Sequence, residues 1–282
     1  MCRLVAYLGE AVLLDRVLVK PENSIVMQSL HARENRQVPT NGDGFGIGWY
    51  APTVNGEPAI FTSIFPAWND NNLLHLTAKI ASPCFFGHVR AASVGGINPY
   101  NCHPFYHGRW MLMHNGDISN FVEVKRHLRR LLDDDIYHWI QGETDSEHLF
   151  ALFLQYAKGK NLEDIHVVGD VLLQTFEAIQ DLVETYSEGG PSYFNICLTD
   201  GERIVATRYC TDRNFHPESL HYIVGYGDAE NPIQPKQDKD QHPSFALVSS
   251  EQLTHWNTAW HKVPENHMLL IHETREIELR EI

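Results

Sequence analysis

The chain has 282 residues, 43% of them apolar, enough to build one large core or two small ones. Its 22 Lys and Arg against 36 Asp and Glu leave a formal charge of −14, a field that repels phosphate backbones and anionic lipid, so neither nucleic acid nor membrane is an expected partner. There is no run of about 18 apolar residues and no basic-then-apolar leader at the N-terminus, and the expected location is the cytoplasm.

Five cysteines, Cys2, Cys84, Cys102, Cys197 and Cys210, form no CxxC pair and leave one over, which fits a reducing compartment better than a disulfide framework. His103/His107 and His261/His267 lack acidic neighbours at zinc-site spacing, so no metal is expected, and nothing points to a cofactor.

In chain order, Met1-Cys2-Arg3 comes first. Removal of Met1 would leave Cys2 with both a thiol and a free α-amine. The thiolate is the nucleophilic form, and an α-amine titrating near pKa ~7.7–8 can take the thiol proton without a separate histidine. Residues 2–8 read as a buried strand that begins at this cysteine and ends at Gly9.

Residues 21–43 are polar and punctuated by Pro and Gly, and they feed glycines at 42, 44, 46 and 48 and the aromatic run to Tyr50. No helix follows these glycines as a phosphate cradle requires, so a strand with close backbone approaches is expected, either a plain hairpin or a substrate-facing one. Residues 58–65 and 84–91 read as strands, the second ending on Arg90, whose planar fork suits a carboxylate or a salt bridge at the sheet end. A turn over Asn101-Cys102-His103-Pro104-Phe105 precedes a strand from Trp110 to Met113. The tripeptide His114-Asn115-Gly116 then stops it, either as a simple turn or as an amide beside an unhindered backbone N–H, the pairing that a developing oxyanion needs.

Ser119 is placed to cap a helix running to about Leu132, with Lys125, Arg126, Arg129 and Arg130 toward solvent and Asp133-Asp134-Asp135 as a solvated turn. Gly142 to Glu147 reads as the entry of an apolar helix to Leu154, with Asp145 at least a cap. Ile165, Val168, Leu172, Phe176, Ile179 and Val183 mark one face of a helix over 163–187. Strands are expected at 193–199, 202–209, 220–226, 244–249 and 267–273, with 228–243 as a long surface loop. Strands, two long helices and strands again give an α+β fold whose helices need a sheet to cover.

Taken together, Cys2, Asn41-Gly42-Asp43-Gly44-Phe45-Gly46, Gly87-His88-Val89-Arg90, His103-Pro104-Phe105, His114-Asn115-Gly116 and Thr144-Asp145-Ser146-Glu147 resemble class II glutamine amidotransferase domains. The resemblance covers about residues 2–160 by motif. It implies a four-layer αββα sandwich of two antiparallel sheets, the N-terminal nucleophile hydrolase fold, in one domain over 2–282. With it come roles: Cys2 as nucleophile with its own amine as base, Asn115 and the Gly116 N–H as oxyanion hole, and Arg90 and Asp145 as clamps for the substrate α-carboxylate and α-ammonium. His103 would join the substrate-binding set. The reaction implied is attack on the γ-carbonyl of glutamine or a γ-glutamyl amide and hydrolysis of the thioester.

Two departures stand out. Larger members often carry Arg-Gly before the loop aspartate and Trp-Ala-Thr after the clamp arginine, where this chain has Asn41-Gly42 and Ala91-Ala92-Ser93, so the leaving-group side is expected to differ. No acceptor domain follows, and the chain is most similar to short, stand-alone members: the amidotransferase-like subunit of fungal glutathione degradation and the γ-glutamyl hydrolase of ergothioneine synthesis. The expectation is a γ-glutamyl amide hydrolase acting on a small molecule. The alternatives are a glutaminase subunit passing ammonia to a separate synthase and a non-catalytic subunit that keeps the fold, and the resemblance to the fungal subunit would supply a metallopeptidase-like partner.

Overall fold

The computed structural model describes residues 2–34, 40–226, 242–254 and 259–282. Among them seven strands make one antiparallel sheet: β1 (Arg3–Leu13), β2 (Phe45–Tyr50), β3 (Pro58–Ser63), β4 (Ala81–Val89), β9 (His221–Gly225), β10 (Phe245–Ser249) and β11 (His261–Lys262), in the order β11-β9-β10-β1-β4-β2-β3. Six make the other: β5 (Phe105–His107), β6 (Trp110–Asp117), β7 (Tyr193–Thr199), β8 (Ile204–Cys210), β12 (His267–Ile271) and β13 (Ile277–Glu281), in the order β13-β12-β8-β7-β6-β5.

The layering follows from β1. Leu4, Ala6 and Leu8 point to one side and Val5 and Tyr7 to the other, and all five are buried. Strand side chains alternate, so a strand apolar on both faces must be covered twice. On one side Leu4, Ala6 and Leu8 meet Met111, Met113, Cys197, Ala206 and Leu269 of the second sheet. On the other, Val5 and Tyr7 pack with Val17, Ile25 and Leu73 from the short helices α1 (Asp15–Leu18), α2 (Ile25–Leu30) and α3 (Asn71–Thr77).

The outer face of the second sheet is covered by α4 (Phe121–Arg129), α5 (Asp134–Trp139), α6 (Asp145–Ala157) and α7 (Ile165–Tyr186). Every one of the six apolar residues expected on one face of α7 is buried, and the Phe176 ring lies flat on Phe194 of β7 with centroids 4.4 Å apart. The α6 helix is apolar almost all round because it is enclosed between the sheet and its neighbouring helices. The result is helices, sheet, sheet, helices: the four-layer α+β sandwich.

Three local expectations are corrected. The β6 strand does not stop at Met113; it continues through His114, Asn115 and Gly116 to Asp117, paired residue for residue with β7. Ser119 does not cap α4. Asn120 holds that place in the left-handed region at φ 50°, and the Ser119 hydroxyl instead donates to Gly189 O. The three aspartates at 133–135 are not a turn, because Asp134 and Asp135 open α5, where acidic residues favour the positive end of the helix dipole. The expected loop at 228–243 falls almost wholly outside the described residues, as do Met1 and residues 35–39.

Candidate active site

The register of the first sheet gathers three strand ends. Arg3 of β1 and Phe45 of β2 both lie opposite Val89 of β4, so Cys2, Gly44 and Arg90 meet at one edge of the sheet. The meeting is fixed by backbone bonds, Arg90 N–H to Gly44 O at 2.8 Å and Asp43 N–H to Arg90 O at 3.0 Å, and the Asp43 carboxylate accepts the Ala92 N–H at 2.8 Å. The Cys2 thiol sits 3.6 Å from Ala91 O. Burial pushes this thiol up, and the Ala91 contact and the charges of Arg90 and Arg3 only partly oppose that, so the neutral thiol is the resting form and a base is needed to ionise it.

The chain beside the cysteine is held by a buried ion pair. Arg3 donates through Nη1 to Cys2 O at 2.7 Å and through Nε to Glu251 Oε1 at 3.1 Å, both side chains being shut off from solvent. Glu251 also accepts the Asn23 amide and the backbone N–H groups of Arg33 and Glu34. A buried carboxylate is stable only when its lone pairs are satisfied, and here four donors satisfy it.

The second sheet brings up Asn115 and Gly116. The two-residue hairpin between β5 and β6 closes on the pair His107 and Trp110. Backbone groups alternate along an antiparallel strand, so those of Trp110, Leu112, His114 and Gly116 face β5 and those of Met113, Asn115 and Asp117 face β7. The β5 strand ends opposite Leu112, and past that point this edge of β6 has no strand partner. His114 O there accepts from His88 Nε2 of β4 at 3.2 Å, a link between the sheets, and by the same alternation the Gly116 N–H faces this edge beyond the end of β5. No side chain fits at 116, since a Cβ would lie 1.9 Å from Tyr193 O.

The Asn115 side chain is 1% exposed, and among the described residues neither its amide nitrogen nor its oxygen has a partner. Buried polar atoms are almost always bonded, so this carboxamide marks a position for a missing group. His103 is in the same condition, buried with both ring nitrogens unpartnered, and its ring lies 4.1 Å from that of His88. Burial pulls His88 down to about 3 and His103 well below the ordinary histidine value, so both are neutral.

Arg90 is 3% exposed and its guanidinium donates to Val94 O, Gly95 O and Gly96 O at 2.9, 3.4 and 3.1 Å. Asp145, the first residue of α6, is 4% exposed and accepts the Ile118 N–H, three residues past Asn115, at 2.9 Å and the Ser146 N–H at 2.8 Å. Among the described residues neither charge has an ion-pair partner. Asn101 ties the two regions together, donating to Gly96 O beside Arg90 and accepting the Glu143 N–H two residues before Asp145. His114 holds the other side, with Nε2–H on Tyr193 O at 2.8 Å and Nδ1 at 3.0 Å from the Ser146 hydroxyl.

The six residues singled out in the sequence thus line the junction of the two sheets, and no side chain among them bonds to another. Cys2 and Arg90 share the edge of the first sheet, His103 stacks on His88 of the same sheet, Asn115 and Gly116 occupy the facing edge of the second, and Asp145 caps the second from α6. His88, Asn101, His114 and Ser146 stood in the motifs without a role of their own, and Glu251 was missed altogether. The place of His88 two residues before Arg90, on the same face of its strand, was the signal that could have given it one. A cavity of about 460 Å³ opens between Thr62 of β3 and Tyr106 of β5, but Cys2, Arg90, Asn115 and Asp145 are not in its walls.

Two facing antiparallel sheets between helices, with a cysteine at the head of an interior strand, make the four-layer sandwich that the resemblance implied. Over 99% of both chains the structure superposes on the glutamine aminotransferase class-II domain protein of Silicibacter pomeroyi, with a TM-score of 0.69 at 24% identity. It superposes as well on glutamine phosphoribosylpyrophosphate amidotransferase of Bacillus subtilis, over 99% of this chain and 49% of that one, with a TM-score of 0.59 at 14% identity. At such identities the likeness is one of fold.

Residues 15–280 match the family of class-II glutamine amidotransferases, and the chain belongs to that family. It is 35% identical to the probable glutamine amidotransferase DUG3 of Saccharomyces cerevisiae over 96% of this chain and 82% of the yeast protein. It is 30% identical to the γ-glutamyl-hercynylcysteine sulfoxide hydrolase of Mycobacterium tuberculosis over 43% of this chain and 52% of that protein.

Proposed function

We propose that the chain, as one amidotransferase domain over 2–282, hydrolyses the γ-glutamyl amide bond of glutamine or of a small γ-glutamyl peptide. The observation that carries this reading is the pair of buried, opposite, unpaired charges. An isolated ion out of water costs several kcal/mol, roughly, and is kept where a ligand supplies the counter-charge. Among the described residues Arg90 lacks an anion and Asp145 lacks a cation. The α-carboxylate and α-ammonium of a glutamyl group supply both at once, which fixes the α-carbon and directs the side-chain carbonyl away from it toward the nucleophile.

The chemistry follows from the groups around that carbonyl. After removal of Met1 the α-amine of Cys2 takes the thiol proton, and the sulfur attacks the γ-carbon. The carbonyl π electrons move to oxygen, where Asn115 Nδ2–H and the Gly116 N–H donate to the oxyanion. The oxyanion collapses, the amine leaves with the proton held on the α-amine, and water repeats the attack on the thioester to release glutamate and restore the thiol. Support for a γ-glutamyl substrate comes also from the relatives, one bearing the name of a glutamine amidotransferase and one of a γ-glutamyl hydrolase.

The test is glutamate release from glutathione and from glutamine, with intact mass measured on the same sample. Loss of one Met mass with turnover that Cys2→Ala abolishes is the expected result. Turnover persisting in Cys2→Ala would overturn the reading. Release from glutamine that rises sharply only when a separate synthase or metallopeptidase-like subunit is added would identify an ammonia-delivering or partner-dependent subunit instead.

A further inference from the structure

The four cations of α4 and its end do not simply face solvent. Lys125, Arg126, Arg129 and Arg130, with Val122 and Tyr137, line one cavity of about 420 Å³. In a chain of net charge −14 this is a local reversal of sign, and among the described residues none of the four has an ion-pair partner. Cations at a helix C-terminus complement the dipole, which accounts for Arg129 and Arg130. Arg126 also falls in the last turn of α4, whereas Lys125, one turn before Arg129, does not. Lys125 and Arg126 make like-charged pairs at i,i+4 with Arg129 and Arg130, an unfavourable arrangement for a helix left alone.

Arg129 is also held in a way that conserves its charge. Its Nε–H donates to His148 Nε2 at 2.8 Å, and His148 Nδ1–H in turn donates to Thr144 O at 2.7 Å. The carbonyl can only accept, so Nδ1 carries the proton, Nε2 is a bare acceptor and the imidazole is neutral. The Arg129 guanidinium lies over the Tyr137 ring, 5.5 Å from the centroid, and both residues line the cavity. Two carboxylates, Glu143 and Glu147, act on Lys125, and Glu147 is already bonded to the Gln141 and Gly142 N–H groups. Desolvation and the charge of Arg129 lower the Lys125 ammonium, and the charges of Glu143 and Glu147 only partly oppose that.

We infer that this cavity binds a small, multiply charged phosphate compound, its phosphates on Lys125, Arg126, Arg129 and Arg130 and any apolar part against Val122 and Tyr137. Val122 is 85% exposed, far more than a packing role would need. An extended polyanion would meet the negative remainder of the surface, whereas a compact one stays within the roughly 8 Å over which the four cations act at physiological salt. The cavity is of the size that takes such ligands.

The experiment is titration calorimetry of the full chain with pyrophosphate, tripolyphosphate and ATP, against the wild type, the doubly substituted Arg126→Ala/Arg130→Ala protein, Lys125→Gln and Lys160→Ala. The expected result is saturable one-to-one binding, weakened at least about tenfold by the double substitution and by Lys125→Gln and unchanged by Lys160→Ala, an exposed lysine elsewhere. ATP binding more tightly than tripolyphosphate would make the ligand a nucleotide; equal affinity would make it an inorganic or sugar-borne phosphate. No saturable heat at millimolar ligand, or equal weakening by all the variants, would overturn the inference. Arg126 and Arg130 are exposed, and unchanged circular dichroism of each variant separates lost binding from lost fold.

Discussion

At the scale of single residues, the site is built from groups left wanting. Among the described residues Asn115 has an amide with no partner, Arg90 a charge with no counter-ion, and Asp145 the complement. A donor aimed at a charge that exists only in the transition state should act on turnover more than on binding. Asn115→Ala is therefore expected to lower kcat for γ-glutamyl hydrolysis by about 10²–10³ while KM stays within a few-fold. Steady-state kinetics checks it, and a rise in KM with kcat intact would make Asn115 a binding group instead. Cys2, Arg90 and Asn115 were singled out from the sequence because each is a chemically loaded residue at a strand end or a Gly-flanked position. Glu251 was not, because it lies 248 residues from the Arg3 it holds and no periodicity connects the two.

At the scale of elements, close backbone approach explains both what was read and what was missed. The alternating glycines were legible as a strand, and the reason is now specific: a Cβ at Gly46 would stand 2.1 Å from His103 O, and one at Gly48 2.3 Å from Met111 Sδ. The first obstacle is backbone and cannot yield cheaply, so Gly46→Ala should destabilise the protein by about 1–3 kcal/mol and displace His103. Chemical denaturation checks the loss, which should exceed that of Gly56→Ala, where the space is open. The short helices α1, α2 and α3 escaped the sequence because each has too few turns to display a period. Capping by Ser24 and Asp70 was the only local sign of the latter two. The length of β6 escaped for another reason, since Asn-Gly is a strong turn signal and only pairing with β7, about 80 residues on, overrides it.

At the scale of the molecule, two sheets faced by helices bury several histidines as neutral rings. His88 and His148 are pulled to about 3 by burial, and His103 well below its ordinary 6.5. Unfolded, all three titrate near 6.5, so below that pH the unfolded chain binds more protons than the folded one, and stability falls as pH drops from about 6.5 toward 3. Urea midpoints from pH 7 to 4.5 should decline steadily, with proton uptake on unfolding. A flat midpoint across that range would mean that the rings charge inside the fold. The layer order itself was legible only through resemblance, because hydrophobic pattern tells that β1 is covered on both faces but not by what.

The Arg3–Glu251 pair has a consequence in time. Ribosomes deliver this chain from its first residues, and the strand that begins beside Cys2 is flanked on one edge by β10, from residues 245–249, and anchored just beyond it by Glu251. A nascent chain shorter than that carries the thiol but lacks its bed. Because Glu251 comes 248 residues after Arg3, the start of the strand beside the cysteine is seated only once the chain has been made that far.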